Sequence, residues 1–219
     1  MFEAAIFDWD GTLADTKTAI LLSFHKTLQE INCDVPDEVI SSRIGIGASE
    51  TFKAILKEAG CPFDAGVVKG LVARKSQLEV EYAAHVKLFG GARALLEGLT
   101  GKVKVGLASM NNQDVIWHQI REFKVDNFFQ TILTAESITH SKPDPEIFLK
   151  CAAELDVNPK DCVVLEDSVF GVKAAKAAGM ACVAVTTGQY GEETLLGEGA
   201  DLAVSSLSSS KVTTFILGS

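Results

Sequence analysis

Asp8 and Asp10 stand two residues apart in Asp8-Trp9-Asp10-Gly11-Thr12, directly after the apolar run Ala4-Ala5-Ile6-Phe7. Two carboxylates gathered at the end of a buried strand are costly to desolvate, and each raises the pKa of the other. A cation, a phosphoryl partner or both would relieve that cost, so the chemistry is expected here. A lone Asp-x-Asp is commonly a solvated turn; the longer string, its place after a strand and three distant partners argue for a site. Ser109, with Asn111 and Asn112 close behind, follows Leu107-Ala108. A hydroxyl beside backbone N–H groups at a helix N-terminus forms an anion site, although Ser109 alone also reads as an ordinary N-cap. Lys142 lies in Ser141-Lys142-Pro143-Asp144-Pro145, where a lysine held between polar turns can neutralise a phosphate or a carboxylate. Glu166-Asp167-Ser168 closes a second buried run, Val163-Val164-Leu165. Magnesium favours oxygen ligands from one or two carboxylates, with waters and phosphate oxygens completing its shell. Two acidic strand ends, a lysine and a hydroxyl suit phosphoryl transfer rather than redox chemistry.

The elements that must position these groups follow from hydrophobic period. Ala4 to Phe7 is all apolar, as in a central parallel strand covered on both faces. After Asp15 the period turns helical: Ile20, Phe24, Leu28 and Ile31 mark a first helix with Asp15 or Thr16 as N-cap. A second helix carries Phe52, Ile55, Leu56 and Ala59 and stops at Gly60. A third runs from about Asp64 to Ala84. No strand is expected between residues 16 and 85, which reads as an all-helical insert. From Phe89 onward strands and helices alternate. Strands are expected at Lys102–Ala108, Thr131–Thr134, Cys162–Leu165 and Ala181–Val185. Helices are expected at Ala92–Leu99, Val115–Phe123, from Pro143 onward, and at Val172–Ala178. This alternation implies an α/β fold with a doubly wound parallel sheet, whose ligands bind beyond the carboxyl ends of the strands. The Ser-rich stretch from Ser205 to Ser210 is expected to be a surface connection.

Composition narrows the partners. The 219 residues suffice for one large domain or two small ones, with 47% hydrophobic and 22% charged residues, as in a soluble globular protein. A net charge of −9 argues against nucleic acid and requires a phosphate-bearing substrate to be attracted locally. Five scattered cysteines without a Cys-x-x-Cys pair read as reduced core thiols of a cytoplasmic protein. Neither a signal peptide nor a membrane span is expected. A monomer or weak homo-oligomer is expected. The four histidines have no metal-ligand spacing, and Gly45-Ile46-Gly47 lacks the third glycine and the preceding strand of a dinucleotide fingerprint.

The chain resembles the haloacid dehalogenase superfamily of phosphohydrolases over nearly its whole length. Four motifs stand in the family's order: Asp8-x-Asp10-Gly11-Thr12, Ser109, Lys142 and Glu166-Asp167. The resemblance implies a Rossmann-like core from residues 1–15 and 86–219 and a small all-helical C1-type cap at 16–85. It implies that Asp8 attacks phosphorus to form an aspartyl-phosphate and that Asp10 is general acid and then base. It further implies Mg²⁺ held by the Asp8 carboxylate, the Asp10 carbonyl and Asp167, with Glu166 a weaker ligand. Ser109, Asn111 and Lys142 would cradle the phosphoryl oxygens.

Leu165-Glu166-Asp167-Ser168 and Ser141-Lys142-Pro143 resemble the branch that holds β-phosphoglucomutases and sugar-phosphate phosphatases. Two departures matter. In the mutases a cap histidine stands where this chain has Ile20, and a phosphate-gripping arginine stands where it has Ala48. Lys75 does match a cap lysine of that branch, and Arg43 is a second cap candidate for substrate contact, against a solvated helix-end reading. The expectation is a phosphatase for a small soluble phosphomonoester of sugar-phosphate or phosphoglycolate type, with a mutase as the alternative. A phosphate-switched receiver is opposed by the early acidic motif and the long insert, and a catalytically silent scaffold by the intact acidic set. Trp9 reads as a strand-end hydrophobe rather than a leaving-group neighbour.

Overall fold

The computed structural model describes residues 1–218. Ser219, the last residue of the expected core, lies outside the described residues. The chain orders its elements as β1 (Ala4–Phe7), β2 (Ala14–Asp15), α1 (Lys17–Gln29), α2 (Asp37–Ser41), α3 (Ala48–Glu58) and α4 (Ala65–Glu81). These are followed by β3 (Lys87–Leu88), α5 (Ala92–Leu99), β4 (Lys104–Ala108), α6 (Gln113–Glu122), β5 (Thr131–Leu133) and α7 (Glu146–Glu154). The last six are β6 (Cys162–Glu166), α8 (Val169–Ala177), β7 (Ala181–Val185), α9 (Glu192–Gly197), β8 (Leu202–Val204) and α10 (Ser210–Leu217).

Six parallel strands form one sheet in the order β5-β4-β1-β6-β7-β8. The chain builds outward from β1 in one direction and then crosses back to build in the other. The point where the direction reverses lies beside β1, where the carboxyl ends of β1, β4 and β6 meet. Strand side chains alternate between the two faces. Ala5 and Phe7 pack with Leu95, Leu96, Ile116 and Val212 from α5, α6 and α10. Ala4 and Ile6 pack on the opposite face with Ile147, Phe148, Val172 and Leu195 from α7, α8 and α9. Both faces of β1 are therefore covered, which explains its unbroken apolar sequence. Burying Ile6 or Phe7 contributes roughly 1.5–3 kcal/mol each.

The helices α1 to α4 share a third cluster of their own, built on Ile20, Phe24, Leu28, Phe52, Ile55 and Leu71. They enter and leave the α/β layers through β2 and β3, a two-residue antiparallel ribbon with Ala14 opposite Leu88. The ribbon is too short to show a period in sequence, and neither it nor α2 is anticipated there; nor are α9, β8 and α10.

Several local expectations need correction. The helix after Ser141 starts at Glu146, not at Pro143. Residues before proline avoid the helical region, so Pro143 and Pro145 delay the start, and the Asp144 carboxylate accepts from the Glu146 N–H at 2.9 Å. Ser109 is not an N-cap: α6 begins at Gln113 with Asn112 in the cap position. Thr16 holds the cap position of α1 without a side-chain capping bond. Of the five cysteines, Cys61 is only half-buried, whereas Cys33, Cys151, Cys162 and Cys182 are buried. Among the described residues, no helix is long and apolar enough to cross a membrane.

Candidate active site

The Asp8 N–H bonds to the Leu165 carbonyl at 3.0 Å, which carries the β1–β6 ladder one residue past Phe7. The Asp8 side chain therefore leaves the sheet at its carboxyl edge. The chain then turns sharply, with the N–H groups of Leu13 and Ala14 both bonded to the Trp9 carbonyl at 3.0 Å. Gly11 takes φ +86°, and a Cβ there would lie 2.2 Å from the Asp167 carboxylate. Only glycine lets this turn approach the second acidic strand end so closely. Trp9 is fully buried in the core and donates to the Gln119 side chain, so it is a structural neighbour and not a leaving-group contact.

Lys142 joins the two acidic ends. It is 2% exposed, and its ammonium donates to Asp8 Oδ1 at 2.7 Å, Glu166 Oε1 at 2.6 Å and the Ala108 carbonyl at 3.3 Å. All three of its protons are used, and the Phe148 ring centroid lies 4.8 Å away. Burial alone would favour the neutral amine, but the Asp8 and Glu166 carboxylates outweigh it and hold the ammonium charged. Of the two readings open for Lys142, the structure shows the lysine neutralising carboxylates.

Glu166 is saturated. Its second oxygen accepts from the N–H groups of Asp167 and Ser168 and from the Ser168 hydroxyl, each at 3.0 Å. That hydroxyl in turn accepts from Gly171 N–H at 3.1 Å and caps α8. Asp167 is less engaged, accepting from the Thr12 hydroxyl at 3.1 Å. Burial, then Glu166 and Asp8, push its carboxyl well above the usual range. Asp8 is raised likewise by burial, against the pull of Lys142. Asp8, Glu166 and Asp167 each offer an oxygen within 4.8 Å of the others. Three buried carboxylates, only two of them paired with the single ammonium, form an all-oxygen, electron-rich donor set that fits a hard divalent cation.

Asp10 sits on the other side of Asp8, facing the helical insert. Ser109 Oγ donates to Asp10 Oδ2 and Asn111 Nδ2 to Asp10 Oδ1, both at 3.3 Å. Ser109 Oγ also accepts from the Asn111 N–H at 3.0 Å. Burial and the Glu79 carboxylate push the Asp10 carboxyl up to about 6, against Lys75, Thr16 and Asn111, which lower it. Asn111 reaches Glu79 Oε1 at 2.7 Å, and Lys75 bonds both Glu79 and Asn111 Oδ1. Glu79 is absent from the sequence reading. Its only signal there is the i,i+4 spacing to Lys75, ordinarily that of a solvated helix pair.

A cavity of about 40 Å³ lies between Asp8 and Asp10 and the helices. Ile20, Phe24, Ile40, Ala48 and Met110 form much of its wall, with Lys75, Arg43 and Asn111 as polar members. Arg43 lines the cavity but is not the solvated helix-end arginine of the second reading, its side chain being 20% exposed. Its guanidinium donates to the Val39 carbonyl at 2.6 Å and to Glu58. Gly47 closes the loop above, at φ +92°, with its Cα hydrogen facing Met110 where a Cβ would lie 3.1 Å from Cε. Asp8, Asp10, Arg43, Lys75 and Asn111 thus line this cavity, Ser109 and Lys142 bond to its two aspartates, and Glu166 and Asp167 adjoin Asp8 behind it.

The haloacid dehalogenase-like hydrolase profile matches residues 5–185 of this chain, a span that includes both acidic strand ends and the helices between them. The chain belongs to the haloacid dehalogenase-like hydrolases. It is 32% identical over 213 residues to β-phosphoglucomutase of Bacillus subtilis, covering 92% of each chain. It is 30% identical over 197 residues to hexitol phosphatase B of Escherichia coli K12, covering 83% of this chain and 82% of that one. The crystal structure of β-phosphoglucomutase from Clostridium difficile superposes with a TM-score of 0.87 at 26% identity, over 100% of this chain and 98% of that one. The protein is a hydrolase of this family, with its Rossmann-like core and helical cap.

Proposed function

We propose that the protein is a Mg²⁺-dependent phosphatase that hydrolyses a small phosphomonoester through an aspartyl-phosphate on Asp8, with residues 16–85 as the cap over the site. The observation that carries this reading is the grouping of Asp8, Glu166 and Asp167 around Lys142 at adjoining strand ends. The donor set assigned to the metal is the Asp8 carboxylate, the Asp10 carbonyl and Asp167. When bound, the cation supplies charge that lets a phosphate dianion approach a carboxylate nucleophile. Glu166 is a weaker ligand candidate, because Lys142, Ser168 and two backbone N–H groups already occupy its oxygens.

The residues divide the work by position. Asp8 stands at the strand end with one oxygen held by Lys142, which fixes its rotamer and leaves the other for attack on phosphorus. Lys142 stays protonated and offers its charge to the phosphoryl oxygens in the transition state. Ser109 and Asn111 lie on the opposite flank and complete the cradle. Asp10, raised to about 6, is protonated often enough near neutrality to donate to the leaving oxygen. Its conjugate base can then take a proton from the water that opens the aspartyl-phosphate.

The relatives by name include both phosphatases and a phosphosugar mutase. Ile20 and Ala48 favour hydrolysis here: both line the cavity, and neither offers charge or a side-chain hydrogen bond to a second phosphate. The test is phosphate release from a panel of phosphorylated metabolites with Mg²⁺. Turnover should stop with excess chelator, return with Mg²⁺ and fall with Ca²⁺, whose looser coordination misplaces nucleophile and phosphoryl group. Full activity in chelator would remove the metal, and a panel with no turnover would remove the phosphatase.

A further inference from the structure

Two cations line the cavity among the described residues, Lys75 and Arg43, and each is already paired inside the cap. Lys75 is 3% exposed; its ammonium bonds Glu79 and Asn111 and lies 5.4 Å from the Phe24 ring centroid. Glu79 is fully buried and stands behind Lys75 and Asn111, one oxygen bonded to each. Arg43 is held by Glu58 and the Val39 carbonyl. The rest of the cap wall is largely apolar: Ile20, Phe24, Ile40 and Ala48.

Such a wall treats charged and uncharged leaving groups differently. An anionic group entering it gives up its hydration against aliphatic and aromatic carbon. To recover that loss it would have to draw Lys75 away from Glu79 and strand a buried carboxylate beside Asp10. An alcohol or polyol gives up only the weaker hydration of neutral hydroxyls and needs no counter-charge, so Lys75 stays with Glu79. We propose that Glu79 cancels the charge of Lys75 and so sets this cavity to select phosphomonoesters whose leaving group is uncharged. The proposal rests on the phosphatase reading above and narrows it, away from phosphoglycolate-type substrates and toward alcohol and sugar monophosphates. Glu79 acts through Lys75 and Asn111 and is a positioning residue.

A matched pair of substrates isolates the effect. 2-Hydroxyethyl phosphate and 2-phosphoglycolate share a two-carbon leaving group and differ in ending as an alcohol or a carboxylate. The wild-type protein should favour the alcohol by about tenfold or more in kcat/KM, since specificity is a difference between two such values. Glu79→Gln keeps the side-chain volume and removes the charge, leaving Lys75 free to meet an anion. It should lower the KM for 2-phosphoglycolate and shrink or invert the preference. Glu79→Asp, which keeps the charge, should retain the wild-type preference even if both rates fall. A wild-type protein indifferent to the carboxylate, or a Glu79→Gln variant that loses both activities in proportion, would overturn the assignment. Dissociation constants of the same two ligands, measured by calorimetry with Mg²⁺, separate this test from the reading beneath it. Selective binding without turnover of either ligand or of the metabolite panel sinks the phosphatase and leaves charge selection standing. Turnover of both ligands without selectivity sinks charge selection alone, and equal or absent binding of the two does the same.

Discussion

At the scale of single residues, the site is governed by an imbalance of charge: Asp8 and Glu166 share the one ammonium of Lys142, and Asp167 stands beside them without a cation of its own. Replacing Asp8 by Asn tests the nucleophile directly. An amide cannot attack phosphorus usefully, so phosphate release should fall on the order of a thousandfold or more, as for loss of a group acting within a catalytic unit. The fold should survive, because the Asp8 backbone bond to Leu165 is untouched and the amide oxygen can still accept from Lys142. Unchanged turnover with unchanged circular dichroism would take Asp8 out of the reaction. Asp167→Asn should behave differently. It removes one of the unbalanced charges and keeps a possible bond from Thr12, so Mg²⁺ dependence should shift to higher concentration while the metal-free protein melts at a higher temperature. A lower melting temperature for the metal-free variant would show that Asp167 is held by contacts stronger than its bond to Thr12.

At the scale of elements, what was legible in the sequence depended on burial of whole runs. β1, β6 and β7 are covered on both faces, and their apolar strings give them away. β8 is a half-buried three-residue edge and β2 and β3 are two residues each, so no pattern could build up in them. The site followed the same logic. Residues at strand ends, Asp8, Ser109 and Glu166-Asp167, were readable because a buried strand fixes where its last residue points. Glu79 was not, because its burial arises from packing of α4 against α6 and α1, which helical period does not encode. On the proposed reading, the helices α1 and α3 also bear on the choice between hydrolase and mutase. α1 presents Ile20 and the start of α3 presents Ala48 to the cavity, so a sugar bisphosphate would bury its second dianion without a partner. Incubated with β-glucose 1-phosphate and a trace of the 1,6-bisphosphate, the protein should give at most glucose and inorganic phosphate. Efficient formation of glucose 6-phosphate without phosphate release would show that Lys75 or Arg43 leaves its carboxylate partner to hold the second phosphate.

At the scale of the whole molecule, the switch point of the sheet concentrates strand ends whose acids repel one another, and this couples function to stability. Asp10 is raised to about 6 by burial and Glu79, while such a group in an unfolded chain titrates near ~3.9. A folded-state pKa above the unfolded one means that the folded protein binds more protons in between. Its stabilising contribution is complete below about pH 4 and is lost as pH rises through about 6. Asp8 and Asp167 shift in the same direction for the same reason, whereas Lys142, held charged by its two partners, stays protonated throughout this window. The metal-free protein should therefore melt at a higher temperature near about pH 5.5 than near about pH 8, the reverse of a protein governed by surface ion pairs. On the proposed reading Mg²⁺ would bind the folded state in competition with those protons, so it should raise the melting temperature more at the higher pH and narrow the difference. Thermal unfolding at the two pH values, with chelator and with Mg²⁺, reads both effects. A metal-free protein that grows steadily more stable from the lower to the higher pH would show that the acidic cluster is neutralised by some means other than protons or a cation.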